Sequence, residues 1–439
     1  MSVDILVLNS HSQLTRNTEA TIPVYNYLTL NGLNIRHGCL FNGFFLILKY
    51  RPKVVFFEEI FGGRWHCIVA MFAKSMGCKV VSLLAEGASF TWAKASPEKL
   101  WGWLHEQQDF WDAYFFWNQA TINLFSAFYP EASGDIPMAG GCGYDRYKFS
   151  CPSTLDIDKS KFAVTVGVGC WIFTEENLSL EWYAKNRELF SKTLHEIIKQ
   201  NKDILFLIKP HPSNDGGLYY SAVENCVHEE NVRLLAADTP IINCIASSDI
   251  WLSFESNTAM EAWLLEKQTA LLNPTGIEFP YERQGFWKGQ PNYATAQEWT
   301  AALSCFKQTG ELPGFDKLEK ERNELYRETI GYADGLNHIR TGNRILDILN
   351  SKNTKKSSLP PMPWLKLAIN SFLRWQFSRF HKYMPKSIPW FLAFEEFYEA
   401  HRKNYSEEEF SINAAIRKKE QLHFYQKNNL DRNKLRKIY

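Results

Sequence analysis

Ile204-Leu205-Phe206-Leu207-Ile208-Lys209-Pro210-His211-Pro212-Ser213-Asn214 is the stretch on which the fold turns. A short apolar run, β-branched in part and bounded by prolines, predicts a buried strand and not a helix. Pro210 and Pro212 fix two φ angles and remove two amide donors, so a central strand cannot continue. His211 is thereby held between two stiff residues. Ligands of open α/β sheets bind at the carboxyl ends of strands, and Lys209 with His211 at such an end makes an anion site.

A second segment has the same logic. Ser248-Asp249-Ile250-Trp251-Leu252-Ser253-Phe254-Glu255 reads as a strand, and Ala259 to Glu266 reads as a helix with apolar positions at helical spacing. Between them stand Ser256-Asn257-Thr258, the residue types that accept the free amides of a helix start. Those amides and the helix dipole also suit a phosphate. Lys267 to Pro274 then turns into another strand.

Together these segments resemble the nucleotide-binding half of GT-B glycosyltransferases. More narrowly they resemble bacterial surface-polysaccharide transferases with a His-Pro motif, such as the Kdo transferases of capsule and lipopolysaccharide assembly, the bacterial sialyltransferases and, more distantly, the polyglycerol-phosphate polymerases of teichoic acid. The matching pieces are Lys209-Pro210-His211-Pro212, Ser248-Asp249, Ser256-Asn257-Thr258 with Glu261, and Gly331-Tyr332-Ala333-Asp334-Gly335 before a final helix. Their order and spacing carry the resemblance, which covers residues 160–350 well and the first 150 only in general architecture. It implies an α/β chain of two facing Rossmann-like domains with a helical, basic C-terminal extension. The expected boundaries are 1–150 for an acceptor-side domain, 160–350 for a nucleotide-sugar domain and 355–439 for the extension.

Composition agrees with that class. A chain of 439 residues with 45% hydrophobic content has room for two or three cores. No uncharged apolar stretch is long enough to span a bilayer, and the start, Met1-Ser2-Val3-Asp4, lacks the pattern of a signal peptide. The nine cysteines are dispersed, with no Cys-x-x-Cys and no zinc spacing, which fits a reducing cytoplasm. Net charge is only +1, yet residues 355–439 hold 17 Lys and Arg against 8 Asp and Glu, so this part is basic by nine and the rest acidic by eight. After a polar linker and Pro360-Pro361-Met362-Pro363, the residues Trp364, Leu365, Ala368, Ile369, Phe372 and Trp375 repeat at three and four. Arg374, Arg379, Lys382 and Lys386 interleave with aromatic residues. This composition predicts either packing on the protein or contact with the inner face of the membrane. No nucleic-acid module is visible.

The first 150 residues predict a parallel sheet from strands Ile5 to Leu8, Val54 to Phe57 and Val80 to Leu84, with helices over Ile22 to Leu30, Phe44 to Lys49 and Trp65 to Lys74. The strands end in Asn9-Ser10-His11-Ser12, in Glu58-Glu59, and in Ala85-Glu86-Gly87. Acceptor-side candidates are His11, Arg16, Glu58 and Glu59. A further strand, Phe162 to Gly169, ends in Gly167-Val168-Gly169, which permits close approach of backbone to a phosphate or sugar. The dinucleotide fingerprint is not completed there. Asp156-Ile157-Asp158 precedes its strand and reads as a solvated turn, not as a metal site.

Transfer from a nucleotide-sugar must stabilise a departing phosphate and deprotonate an acceptor hydroxyl. With no metal and no cofactor expected, Lys209, His211 and Ser256-Asn257-Thr258 would carry the phosphate charge, with Gly167 and Gly169 beside it and Glu261 on the ribose. Glu86 is the first choice for the base, with Glu58 and Glu59 in reserve. The function expected from the resemblance is a glycosyltransferase that moves a sugar, such as a CMP-activated acidic sugar of the Kdo type, to a glycan or lipid-linked glycan. A CDP-polyol phosphotransferase, a nucleotide-sugar epimerase of the same fold and a non-catalytic, membrane-recruited assembly subunit are the alternatives.

Overall fold

The computed structural model describes residues 3–59, 64–84, 111–130, 134–150, 152–158, 160–168, 180–211, 222–253, 256–274, 285–351, 369, 373 and 404–439. The described residues form two five-stranded sheets, all of whose strand pairs are parallel. The chain divides into two compact units. The first comprises residues 1–150 and 327–439, and the second residues 151–326.

In the first unit the strands are β1 (Ile5–Asn9), β2 (Ile35–Cys39), β3 (Val54–Phe57), β4 (Lys79–Leu83) and β5 (Ala113–Phe115), in the order β2-β1-β3-β4-β5. Strands β1, β3 and β4 are buried along their whole length. That is why they read as continuous apolar runs: a parallel sheet is covered on both faces. Helices α1 (Arg16–Leu30), α2 (Gly43–Tyr50) and α3 (Arg64–Ser75) connect them. The expected elements are present within a residue or two except at α1, which starts earlier and carries Pro23 inside it. Strand β2, at the sheet edge, is absent from the sequence reading. Helices α4 (Gln119–Phe128) and α5 (Arg146–Phe149) complete the first stretch.

The second unit holds β6 (Ala163–Gly167), β7 (Leu205–Lys209), β8 (Val232–Leu234), β9 (Ile250–Ser253) and β10 (Gln268–Leu271), in the order β10-β9-β6-β7-β8. Its helices are α6 (Leu180–Gln200), α7 (Ile241–Ala246), α8 (Thr258–Leu264), α9 (Ala296–Thr309) and α10 (Glu319–Thr329), whose last residues belong to the first unit. Helix α9 shows how local sequence sets its ends. Thr295 and Glu298 form a reciprocal capping box, and Gly310, at φ 76°, terminates the helix in the left-handed conformation. A core of Leu207, Leu235, Cys244, Ile245, Trp251 and Ala262 packs on this sheet.

The domain boundaries differ from those expected. Helix α11 (Asn337–Asn350) and the helices α12 (Glu407–Lys427) and α13 (Arg432–Leu435) all belong to the first unit. The reason is burial: Ile339, Ile345, Leu346, Tyr425 and Leu435 share one core with Ile5, Val7, Val54 and Phe56. Residues 404–439 are therefore part of that unit and not a separate extension. The amphipathic stretch 364–377 lies outside the described residues save Ile369 and Leu373. No helix among the described residues is long and apolar enough to cross a membrane.

Candidate functional site

Each sheet has a switch point, where the chain stops building outward on one side and starts on the other. Ligands of open α/β sheets bind outside the carboxyl ends of the strands at such a point. In the second unit it falls between β6 and β9. There Ser253, Gly167 and Lys209 lie in one row across three neighbouring strands.

Their side chains play different parts. A Cβ on Gly167 would stand 2.5 Å from Cζ2 of the buried Trp251 ring. Close packing on that indole therefore accounts for the glycine without any phosphate. Lys209 is 6% exposed and donates from Nζ to the carbonyls of Pro210 (2.7 Å) and Ala237 (2.8 Å). Burial holds its ammonium below the ordinary lysine value, against the opposing pull of Cys244 and Asp238. Its expected role as an open phosphate contact is corrected accordingly: the side chain ties the end of β7 to the turn after β8. His211 follows, half-buried. Ser253, buried at the end of β9, has no hydrogen-bond partner for its hydroxyl among the described residues. It is absent from the sequence candidates, although a lone hydroxyl at the end of an apolar strand is a legible signal. Beyond it, Asn257 precedes α8 in helical conformation and its side chain makes no cap. The cap comes from Ser256, whose Oγ accepts from the Thr258 amide (3.3 Å) and hydroxyl (2.9 Å). Glu261 is half-buried one turn into α8. Gly169 lies outside the described residues. Asp156 and Asp158 are exposed, and Asp158 Oδ1 accepts from the Ser160 amide and hydroxyl, as a turn does.

In the first unit the switch point falls between β1 and β3, and polar groups converge there. Glu58, fully buried after β3, accepts from the Ser10 amide (2.7 Å), from Asn9 Nδ2 (3.1 Å) and from the Ser10 hydroxyl. Ser10 Oγ also lies 2.8 Å from His11 Nδ1. His66, from α3, brings Nε2 to 3.9 Å from Glu58, and its buried Nδ1 has no partner among the described residues. The loop is pinned from behind by residues 404–413. The Ser12 amide donates to the Asn404 carbonyl (2.9 Å), Asn413 Nδ2 donates to the Ser12 carbonyl (2.9 Å), and the Ser12 hydroxyl donates to Glu409. Glu59 is separate from this cluster, since it accepts from the buried Tyr114 hydroxyl. Arg16 opens α1. Glu86 lies outside the described residues.

Of the sequence candidates, the structure thus brings His11 together with Glu58, and adds Asn9, Ser10 and His66. The described cysteines are buried apart from the half-buried Cys305, and burial pushes thiols such as Cys39 up to about 12, which suits packing better than nucleophilic chemistry.

No protein-family model and no curated protein matches the chain. Solved structures do. One is a protein assigned as a UDP-N-acetylglucosamine 2-epimerase of Listeria monocytogenes, with TM-score 0.52 and 12% identity over 82% of this chain and 99% of that one. Another is S. aureus MnaA, solved with UDP, at TM-score 0.51 and 14% identity over 81% and 100%. The UDP-GlcNAc 2-epimerase of Methanocaldococcus jannaschii gives TM-score 0.50 and 13% identity over 80% and 99%. The fold is GT-B. Likeness at this level of identity establishes the fold alone, and it is the fold that the His-Pro and Ser-Asn-Thr segments imply.

Proposed function

We propose that the chain is a nucleotide-sugar enzyme, and specifically a glycosyltransferase that moves a sugar to a surface glycan. The observation that carries this reading is the chemistry at the two switch points. The second sheet ends in a buried Ser253 hydroxyl that has no partner among the described residues, two strands across from the end of β7 where Lys-Pro-His-Pro begins, which suits a nucleotide phosphate. The first ends in a carboxylate and imidazole cluster, which suits a hydroxyl acceptor. The transferases that the motifs resemble support a cytidine-activated acidic sugar such as Kdo as donor. Calorimetric titration with CMP, CDP, UDP and GDP tests the site. We expect CMP or CDP to bind, and His211→Ala and Ser253→Ala each to weaken binding about tenfold, the equivalent of one hydrogen bond. Absence of binding by every nucleotide, or unchanged affinity in both variants, refutes the assignment.

A second reading is a nucleotide-sugar 2-epimerase. It is supported by two of the similar structures, which are described as such enzymes, and by a third solved with UDP. An epimerase converts UDP-N-acetylglucosamine without an acceptor, so product analysis in the absence of any glycan separates the two.

A lipid-linked acceptor would bring the protein to the inner face of the membrane. Ile369 and Leu373, one helical turn apart, are 48% and 41% exposed and belong to the basic, aromatic sequence that precedes residue 404. Flotation with anionic liposomes should be lost on Ile369→Glu with Leu373→Glu, and retained if the face serves another purpose.

A further inference from the structure

We infer that His11 is the catalytic base of the first unit, with its Nε2 as the basic atom, and that Ser10 and Glu58 fix it in that form as positioning residues. The inference rests on the transferase reading above and adds the identity of the group that takes the acceptor proton.

The argument is one of proton counting. The Ser10 amide and Asn9 Nδ2 can only donate, so both oxygens of Glu58 act as acceptors. The Ser10 hydroxyl has one proton, and its contact with Glu58 takes it. Ser10 Oγ therefore meets His11 Nδ1 at 2.8 Å with a lone pair, which requires the hydrogen to be on Nδ1. A neutral imidazole with Nδ1–H has its free lone pair on Nε2. The tautomer is thus set by a carboxylate acting through a hydroxyl, an arrangement that also steadies the imidazolium once it forms. Position agrees with this role. Glu58 is fully buried whereas His11 is half-buried, at the switch point where a ligand of this sheet belongs. The loop cannot swing freely, because Ser10 is bonded on one side of His11 and Ser12 on the other.

The step balances without a further reactant. The acceptor O–H gives its proton to His11 Nε2, and the oxygen forms a bond to the anomeric carbon. The bond from that carbon to phosphate breaks, and its electron pair leaves with the nucleotide. The imidazolium then returns its proton to water.

Two measurements on the full chain test this. Nitrogen-15 spectra of histidine-labelled protein, with His11→Gln identifying the resonance, should show His11 as the Nδ1–H tautomer, and Ser10→Ala should shift it toward Nε2–H. Nucleotide release from UDP-GlcNAc and from a CMP-activated acidic sugar should fall about 10²- to 10⁴-fold in His11→Gln, with nucleotide affinity unchanged. The residual rate should also lose the acidic limb of its pH profile, which a merely structural role would leave in place. Ser10→Ala avoids the folding risk of altering buried Glu58. An Nε2–H tautomer in the wild type, or a His11→Gln chain as active as wild type, overturns the inference. A wild-type chain with the Nδ1–H tautomer that binds nucleotide yet turns over neither sugar overturns the transferase reading and the base role with it, while leaving the relay geometry standing.

Discussion

At Gly167 one added carbon would collide with an indole. The 2.5 Å approach to Trp251 is to a ring that is itself fully buried, so Gly167→Ala should cost about 1–3 kcal/mol as overpacking does. Chemical denaturation checks this, and Gly167→Ala with Trp251→Leu should recover part of the loss. His37 makes a prediction of a different kind. Its ring stacks on Phe410 at 4.4 Å, and its nitrogens meet the Tyr405 hydroxyl (2.9 Å) and Ser411 Oγ (3.2 Å). Burial, reinforced by Arg36, lowers its imidazole to about 4 from 6.5. A histidine held neutral when folded contributes stability that is present above the unfolded value and lost as pH falls toward the folded one. The window is therefore about pH 6.5 down to 4, with a loss of at most about 3 kcal/mol. Melting of His37→Gln across that range should be flatter than wild type, and equal slopes would count against it. Side-chain fate is what the sequence conceals at this scale. Lys-Pro-His-Pro announces a strand end, but nothing local reveals that Lys209 bonds a carbonyl 28 residues away. His11 and Glu58 are visible as polar residues after apolar runs, yet their partnership depends on β1 and β3 being neighbours.

Helix α12 is held to the first unit by buried polar locks more than by an apolar stripe. Arg417 meets Glu19 through Nη2 (2.5 Å) and Nε (3.0 Å), and Arg146 adds a second cation at 3.3 Å. Further along, His338 bridges two partners, with Nδ1 2.7 Å from Asp145 and Nε2 2.6 Å from the Tyr425 hydroxyl. Breaking a buried ion pair from one side leaves the other charge stranded. Arg146 still faces Glu19 when Arg417 is removed, so Arg417→Ala should cost about 1.5–3 kcal/mol, as loss of hydrogen bonds to a charged group does, whereas Glu19→Met with Arg417→Met should be milder. A double-mutant cycle by thermal unfolding measures the difference, and additive losses would show that the pair is not coupled. This design explains why the helix is hard to place from sequence. A Lys- and Arg-rich segment reads as surface-seeking, but Arg417 and Gln421 are among its most buried residues. Strands β2 and β8 escape for another reason. They are short edge strands with Arg36, His37 and Gly38 in one and Arg233 in the other, so neither offers a continuous apolar run.

The second unit is an insertion within the first, since the chain leaves the first at residue 150 and returns at 327. A sequence read as consecutive blocks misses this, because the evidence for it is long-range: Ile345, Tyr425 and Leu435 buried against Ile5 and Val54. A chain ending at residue 403 would remove Tyr425 and Leu435 from that core and take Arg417 from Glu19. It should lose the cooperative melting of the first unit while keeping the nucleotide binding assigned to the second. Calorimetry with and without nucleotide reads both, and two intact transitions would contradict the packing described. The same connectivity sets a schedule on the ribosome. Residues 1–150 emerge before Ile339, Tyr425 and Leu435, which complete their core, and at bacterial or eukaryotic synthesis rates of about 5–20 residues per second the wait until Leu435 is on the order of 15–60 s. Throughout that interval the core of β1 and β3, with α1 already on it, still lacks the residues of the last helices, while the second unit can already fold. The nascent chain is thus a natural client for a chaperone that shields apolar β-structure, and slowing its elongation should raise aggregation.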